Sequence, residues 1–317
     1  MWYGPNWLKI LITSKNTGDL PGLRQCPRLL GALPPSSGGP RNTSQWLRAG
    51  KGTSPRRSPG STNMEIAEYV YQYGFAERFS EYQYDEERQA QKAKKALSVL
   101  EDFCGGPGSL EALTLLDLGC SAGLMTRLYS RNFSRTVGVD IDAPAVKHAA
   151  ANYSSDKLQF LVRDAMDTGF PSESFDVITC THIYEHVPDF KKLMGEIRRM
   201  LKKGGICYFA AQNRLSLIEP HYGLPLLSVV PKPIAHVYSR LFGKGDHYYE
   251  TMLTLGKLKK LVAEFECHDY TLKIMQEPVK YHATELLAPG SLKQGVALAV
   301  AHMAYFLCPT YVWILRK

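Results

Sequence analysis

The sequence predicts an α/β domain in which a parallel sheet carries helices on both faces. Three observations predict it: an apolar strand that runs into a Gly-rich turn at 113–123, strand-like and helix-like stretches that alternate through residue 212, and a composition that is 44% hydrophobic over 317 residues. In the first of these, Leu113, Leu115, Leu116 and Leu118 bracket Asp117, and Gly119, Cys120, Ser121, Ala122 and Gly123 follow at once. Small residues let a ligand approach the backbone closely there, and the helix predicted at about Leu124–Tyr129 points free N–H groups at the same place. Asp117 stands where it can accept from a ligand's ammonium or from loop N–H groups.

The charge is unevenly spread. Residues 1–63 hold nine Lys/Arg and one acid, Asp19, so that of 38 basic and 30 acidic residues the remainder keeps 29 of each. That neutral body lacks the basic footprint of a nucleic-acid binder, and no nucleic-acid partner is expected. The Pro/Ser/Gly runs at 34–40 and 54–61 cannot bury enough surface to offset their ordering entropy. Residues 1–63 therefore read as a disordered basic tail or as mis-assigned leader ahead of a start at Met64, with organelle targeting as a further alternative. Seven cysteines, odd in number and without a CxxC pair, fit a reducing compartment, and the expected location is cytoplasmic.

Residues 64–317 are expected to form one domain. Aromatic residues crowd the stretch from Tyr69 to Tyr84, either as core or as a cap over the neighbouring turn, and a helix follows to about Phe103 with Ala93, Ala96, Leu97 and Leu100 at helical spacing. Gly105-Gly106-Pro107-Gly108 stops it. Further strands are predicted at 136–140, 158–162, 175–180, 206–211, 268–275 and 311–315, and helices at 143–152, 188–201 and 292–307. Residues 295–315 carry no formal charge and are long enough to span a bilayer, but Pro309 and His302 interrupt them, so a surface or buried helix followed by a last strand is expected instead. The apolar runs at 226–242 and 292–307 are the two candidates for peripheral membrane contact.

At this point the residues carry a resemblance. The ordered set Asp117-Leu118-Gly119-Cys120-Ser121-Ala122-Gly123, Gly138-Val139-Asp140, Arg163-Asp164-Ala165, Phe175-Asp176-Val177-Ile178, Glu185-His186-Val187 and Leu201-Lys202-Lys203-Gly204-Gly205 resembles the motifs of class I S-adenosylmethionine-dependent methyltransferases, type 11-like, over 113–212. The resemblance implies a Rossmann-like seven-stranded, mostly parallel sheet. It also implies S-adenosyl-L-methionine as cofactor and methyl transfer in line to a small-molecule, lipid or glycan acceptor, with O-methylation expected. Within that implied frame, 113–212 is the cofactor-binding core and 213–250, rich in Pro and Gly, is a substrate-lid insertion. Gly119 and Gly123 line the methionine moiety with Asp117 and Ser121 in the same loop, Asp140 takes the ribose hydroxyls, and Asp164 with Ala165 meets the adenine edge. Ser121 stands where the family's loop has its middle glycine. Two rival readings are an NAD(P)-dependent Rossmann oxidoreductase, whose G-x-G-x-x-G this loop lacks, and a catalytically inactive protein that binds the donor without turnover.

Transfer from a sulfonium asks chiefly for alignment and exclusion of water, and a base is needed only when the nucleophile arrives protonated. The candidates are His186 and His182 in the run His182-Ile183-Tyr184-Glu185-His186, and His221 in the insertion. The same letters spell the H-x-x-E-H zinc-protease pattern, but here they leave a strand and do not fill a helix. A divalent ion on His182, Glu185 and His186 is an alternative use of the run, although no metal is assigned, and plain packing of His186 against the sheet is the structural alternative.

Overall fold

The computed structural model describes residues 74–317; the tail at 1–63, and with it Tyr69, Tyr71 and Tyr73 of the aromatic stretch, lies outside the described residues. Seven strands form one sheet in the order β3-β2-β1-β4-β5-β7-β6, which makes it the seven-stranded, mostly parallel sheet expected. They are β1 (Thr114–Leu118), β2 (Arg135–Asp140), β3 (Leu158–Val162), β4 (Phe175–Thr181), β5 (Leu201–Gln212), β6 (Glu266–Asp269) and β7 (Thr310–Arg316). The first five pair in parallel, and β7 runs antiparallel to both β5 and β6.

Successive side chains of each strand face opposite sides, so Leu115 and Leu116 start two cores. On one side Leu116, Ile178, Cys207 and Trp313 pack with Leu193 and Ile197 of α6 (Phe190–Met200) and Leu258 of α8 (Leu255–Leu261). On the other, Leu115, Val177, Tyr208 and Ile314 pack with Ala93, Ala96 and Leu100 of α3 (Glu86–Cys104) and Tyr129 of α4 (Leu124–Tyr129). The chain reverses its direction of winding between β1 and β4, and in sheets of this kind the crevice beyond the carboxyl ends at that point is the ligand site.

Two short helices, α1 (Phe75–Arg78) and α2 (Ser80–Gln83), precede α3, whose N-terminus is capped by Asp85 accepting from Arg88 N–H. Helix α5 (Ala143–Tyr153) joins β2 to β3, and α7 (Lys232–Leu241) lies in the stretch between β5 and α8.

Three boundaries depart from the sequence reading. Strand β5 begins at Leu201, not 206, because Phe175 pairs with Leu201 and Val177 with Ile206; the intervening residues bulge out around Gly204 at φ 73. The strand expected at 268–275 ends at Asp269, whose carboxylate accepts from Thr271 N–H and turns the chain into α9 (Thr271–Gln276). An Asp that accepts from the N–H two residues on in this way turns the chain out of the strand. The helix expected to reach 307 stops as α10 (Leu292–Met303), and a 3-10 turn at Tyr305–Leu307 leads to Cys308, held extended before Pro309. Among the described residues no helix is long and apolar enough to cross a membrane.

Candidate active site

One pocket lies at the carboxyl ends of β1, β2 and β4, and ten sequence-predicted residues line it: Asp117, Gly119, Ser121, Gly123, Asp140, Asp164, Ala165, His182, His186 and His221. Its floor is the β1 to α4 turn. The N–H groups of Gly119 and Cys120 donate to the carbonyl of Val139 at 2.8 and 3.0 Å, which pins the turn to the end of β2. Gly119 sits at φ 74, and a Cβ there would come within 2.0 Å of Ile183 Cδ1. Ser121 adopts φ 47, the left-handed region that costs a side chain energy, and its buried hydroxyl has no hydrogen-bond partner.

The acids of the pocket are held in distinct ways. Asp117 is buried and accepts at 2.6 Å from each of the hydroxyls of Thr126 and Thr179, not from loop N–H groups, and burial pushes its carboxyl up to about 6 against those two bonds. Asp140 accepts from Ser121 N–H at 2.8 Å and Asp142 N–H at 2.9 Å, while burial raises its carboxyl above the ordinary range. Asp142 in turn accepts from the N–H groups of Gly74 and Ala76 at 3.1 and 2.9 Å, so the start of α1 is fastened beside the second strand's carboxylate. Asp164 accepts from Met166 N–H at 2.9 Å. Phe75, Phe79 and Tyr82 close the pocket on one side, as a cap requires. Lys92 also faces it, donating to the Tyr82 hydroxyl, and burial followed by repulsion from Arg88 brings its ammonium down to about 7.

Beside Phe75, whose ring lies 5.3 Å from that of His186, the pocket wall is built from imidazoles over buried carboxylates. His182, at φ 57 where β4 ends, lies 3.6 Å from Glu185, and its ring is lowered chiefly by burial. His186 lies 4.0 Å from Glu250 and is pushed down to about 3 by burial and by neighbouring His221. The Nδ1 of His221 meets Glu219 at 2.9 Å; burial opposes its charge, but Glu219, Glu250 and Glu185 outweigh that and raise it to about 9. Glu250 is raised by burial to about 6, whereas the imidazoles around Glu185 overcome the same burial and hold it low. Both oxygens of Glu185 and of Glu250 lack a hydrogen-bond partner among the described residues. Ligand atoms of Glu185, His186 and His221 lie within 4.8 Å of one another, a spacing that suits a metal ion; His182 is not among the three.

Sequence reasoning missed Ile183, Asp142, Lys92, Glu219 and Glu250. The Asp140-Ile141-Asp142 spacing ahead of a helix was a readable capping signal. Glu219 and Glu250 stand 31 positions apart, and nothing local announces that both meet His186 and His221.

Comparison with known proteins gives the same frame. The family described as a methyltransferase domain matches residues 116–209. The chain is 28% identical over 170 residues to a ubiquinone biosynthesis O-methyltransferase of Actinobacillus pleuropneumoniae serotype 5b, an alignment covering 49% of this chain and 66% of the relative. It is 26% identical over 199 residues to the protein of the same name from Xanthomonas campestris pv. campestris strain B100, covering 61% and 79%. In fold it is similar to the plantazolicin methyltransferase BamL, solved with a triazolic desmethylPZN analog and SAH, at a TM-score of 0.52 and 16% identity over 80% of this chain and 95% of the other. With the glycine turn, the acids that end β1 and β2 and the matched residues 116–209 in one frame, the chain carries a methyltransferase domain similar to those of the class I S-adenosylmethionine-dependent enzymes.

Proposed function

We propose that this chain O-methylates a hydroxyl of a small amphiphilic acceptor. The reading is carried by the neutral imidazole of His186 set beside the charged His221–Glu219 pair, in the pocket that the glycine turn also lines. S-adenosylmethionine, when bound, supplies a methyl group already activated on a sulfonium. The residues fit that donor: Gly119 and Gly123 line the pocket with bare backbone at positive φ, where Ile183 and Ala149 with Phe160 leave no room for a side chain, and acids end the strands where hydroxyls and an amine need acceptors. In this reading Gly119, Ser121 and Gly123 line the methionine part with Asp117 behind them, Asp140 accepts from the ribose hydroxyls, and Asp164 with Ala165 meets adenine. His221 as imidazolium favours an acceptor oxygen that is losing its proton, and His186 takes that proton with Glu250 behind it. The segment 213–250 supplies the acceptor wall, and Phe75, Phe79 and Tyr82 exclude water. The relatives named O-methyltransferases support oxygen as the acceptor atom, and the match to a methyltransferase domain leaves the nicotinamide reading without support. A cytoplasmic setting accords with the six described cysteines, all unpaired.

The test is methyl release with a panel of hydroxylated amphiphiles, alongside calorimetry with S-adenosylmethionine. Donor binding without turnover on any hydroxyl would leave only the inactive binding protein. The unpartnered oxygens of Glu185 and Glu250 favour one second reading, a divalent ion among Glu185, His186 and His221 that orients the acceptor. Turnover unchanged after chelation and dialysis would remove it.

A further inference from the structure

We infer that the outer face of α7, together with the end of α10 and the turn after it, docks on an anionic lipid bilayer and brings the pocket mouth to the membrane surface. Helix α7 turns Ala235 and Ser239 inward and leaves Ile234, Val237 and Leu241 exposed by 56, 54 and 78%, at the three- and four-residue spacing of one helical stripe, with Phe242 next to them at 60%. Met303, Phe306 and Leu307 form a second exposed group, Met303 at 88%. Hydrogen bonds tie the segment that leads toward α7 to the segment that follows α10. The Asn213 side-chain amide donates to the carbonyls of Phe306 and Cys308 at 2.7 and 2.8 Å, and Arg214 donates to those of Ser228 and Val229 at 3.1 and 3.2 Å. The same segment lines the pocket with Pro220 and His221.

Charge selects the occupant. Residues 220–245 and 286–317 contain no Asp or Glu, while Arg240 and Lys244 flank the stripe. Two copies meeting through this face would oppose like charges, and residues 1–63, with nine Lys/Arg to one acid, are a poor cover for the same reason. An apolar stripe with net positive charge at its edge, from Lys244 and from an exposed Arg240 that Asp246 meets at 3.6 Å, matches the headgroup boundary of an anionic bilayer, in which the helix lies in the plane of the surface. The inference rests on the proposed function only for the amphiphilic acceptor; the docking itself needs neither donor nor acceptor.

The experiment is sedimentation of the full chain with phosphatidylcholine vesicles and with vesicles also containing phosphatidylglycerol, in the absence of both substrates. Binding to the anionic vesicles alone, weakened by salt, is expected. The pair Leu241→Asp with Phe242→Asp should lower it by about tenfold or more, and Arg240→Glu with Lys244→Glu should do the same with a smaller salt dependence. Unchanged donor affinity and circular dichroism show that the variants fold, since all four positions lie outside the pocket. No binding by the parent overturns the docking face, as does binding that persists in both variants, which would belong to the basic segment at 1–63. A dimer in light scattering that Leu241→Asp with Phe242→Asp dissociates would overturn it in favour of a second copy. Failure on vesicles leaves methyl release in solution intact, so the two readings fail separately.

Discussion

The rings of His186 and His221 stand edge to face with centroids 4.9 Å apart, one neutral and the other charged at neutral pH. The charged ring enforces the state of the neutral one: the Glu219 carboxylate at 2.9 Å keeps the proton on His221, and that charge, added to burial, keeps one off His186. In the proposed reaction a proton acceptor and a positive charge would thereby be set against the same acceptor oxygen.

Replacing His186 by Ala is expected to lower turnover by roughly 10²–10⁴-fold while leaving donor affinity within about threefold, as when a general base is lost and the donor site is kept. Single-turnover methyl transfer and calorimetry read the two quantities. Equal turnover in variant and parent between about pH 6 and 9 would move the base elsewhere.

The same pair fixes a pH window for stability. The folded value of His221 lies above the unfolded one, so its contribution is complete below about 6.5 and is lost as pH rises through about 9. His186 is depressed, so stability instead falls as pH drops from about 6.5 toward 3, where only the unfolded ring takes the proton. Melting temperature followed across pH should fall on both sides, and His221→Gln should flatten the alkaline limb and, by removing a charge that depresses His186, soften the acid limb as well. An alkaline limb that persists in the variant would refute the assignment.

Asp140→Ala is expected to weaken S-adenosylmethionine binding by roughly 1–3 kcal/mol, since ribose hydroxyls lose their acceptor. It also strands the N–H groups of Ser121 and Asp142, so the protein without ligand should lose stability of similar size. Calorimetry and denaturant unfolding of the same variant check both; unaltered unfolding would mean that water replaces the carboxylate.

Ser121→Gly should stabilise the protein. The left-handed backbone at φ 47 costs a non-glycine residue about 1–2 kcal/mol, while glycine's extra freedom in the unfolded chain returns roughly 0.5–1 kcal/mol. The variant also deletes an unpartnered buried hydroxyl. A lower melting temperature would show that the hydroxyl has a structural partner.

The parallel half of the sheet was legible because its strands are short apolar runs ended by Gly or Asp, signals that local sequence carries in full. The glycine turn and Asp140 were legible for the same reason. Strand β6 was misjudged because Asp269 turns the chain by accepting from Thr271 N–H, while the Thr271 hydroxyl accepts from Val312 N–H across the sheet. The carboxylates Glu219 and Glu250 were invisible because their meaning lies in tertiary contact with His221 and His186. Lys92 looked like a solvated helix residue, and only the packing of Tyr82 against it turns it to the pocket.

The antiparallel place of β7 has a kinetic side. Strands β1 to β5 are joined by local crossovers, but the far edge of β5 waits for a partner roughly one hundred residues later in the chain. Until Gln212 finds Thr310 and Cys207 finds Leu315, a strand whose side chains become fully buried shows open backbone groups along one edge. Refolding yield should therefore be limited by self-association at that edge, and the chain is one that gains from being synthesised slowly or in the presence of chaperones.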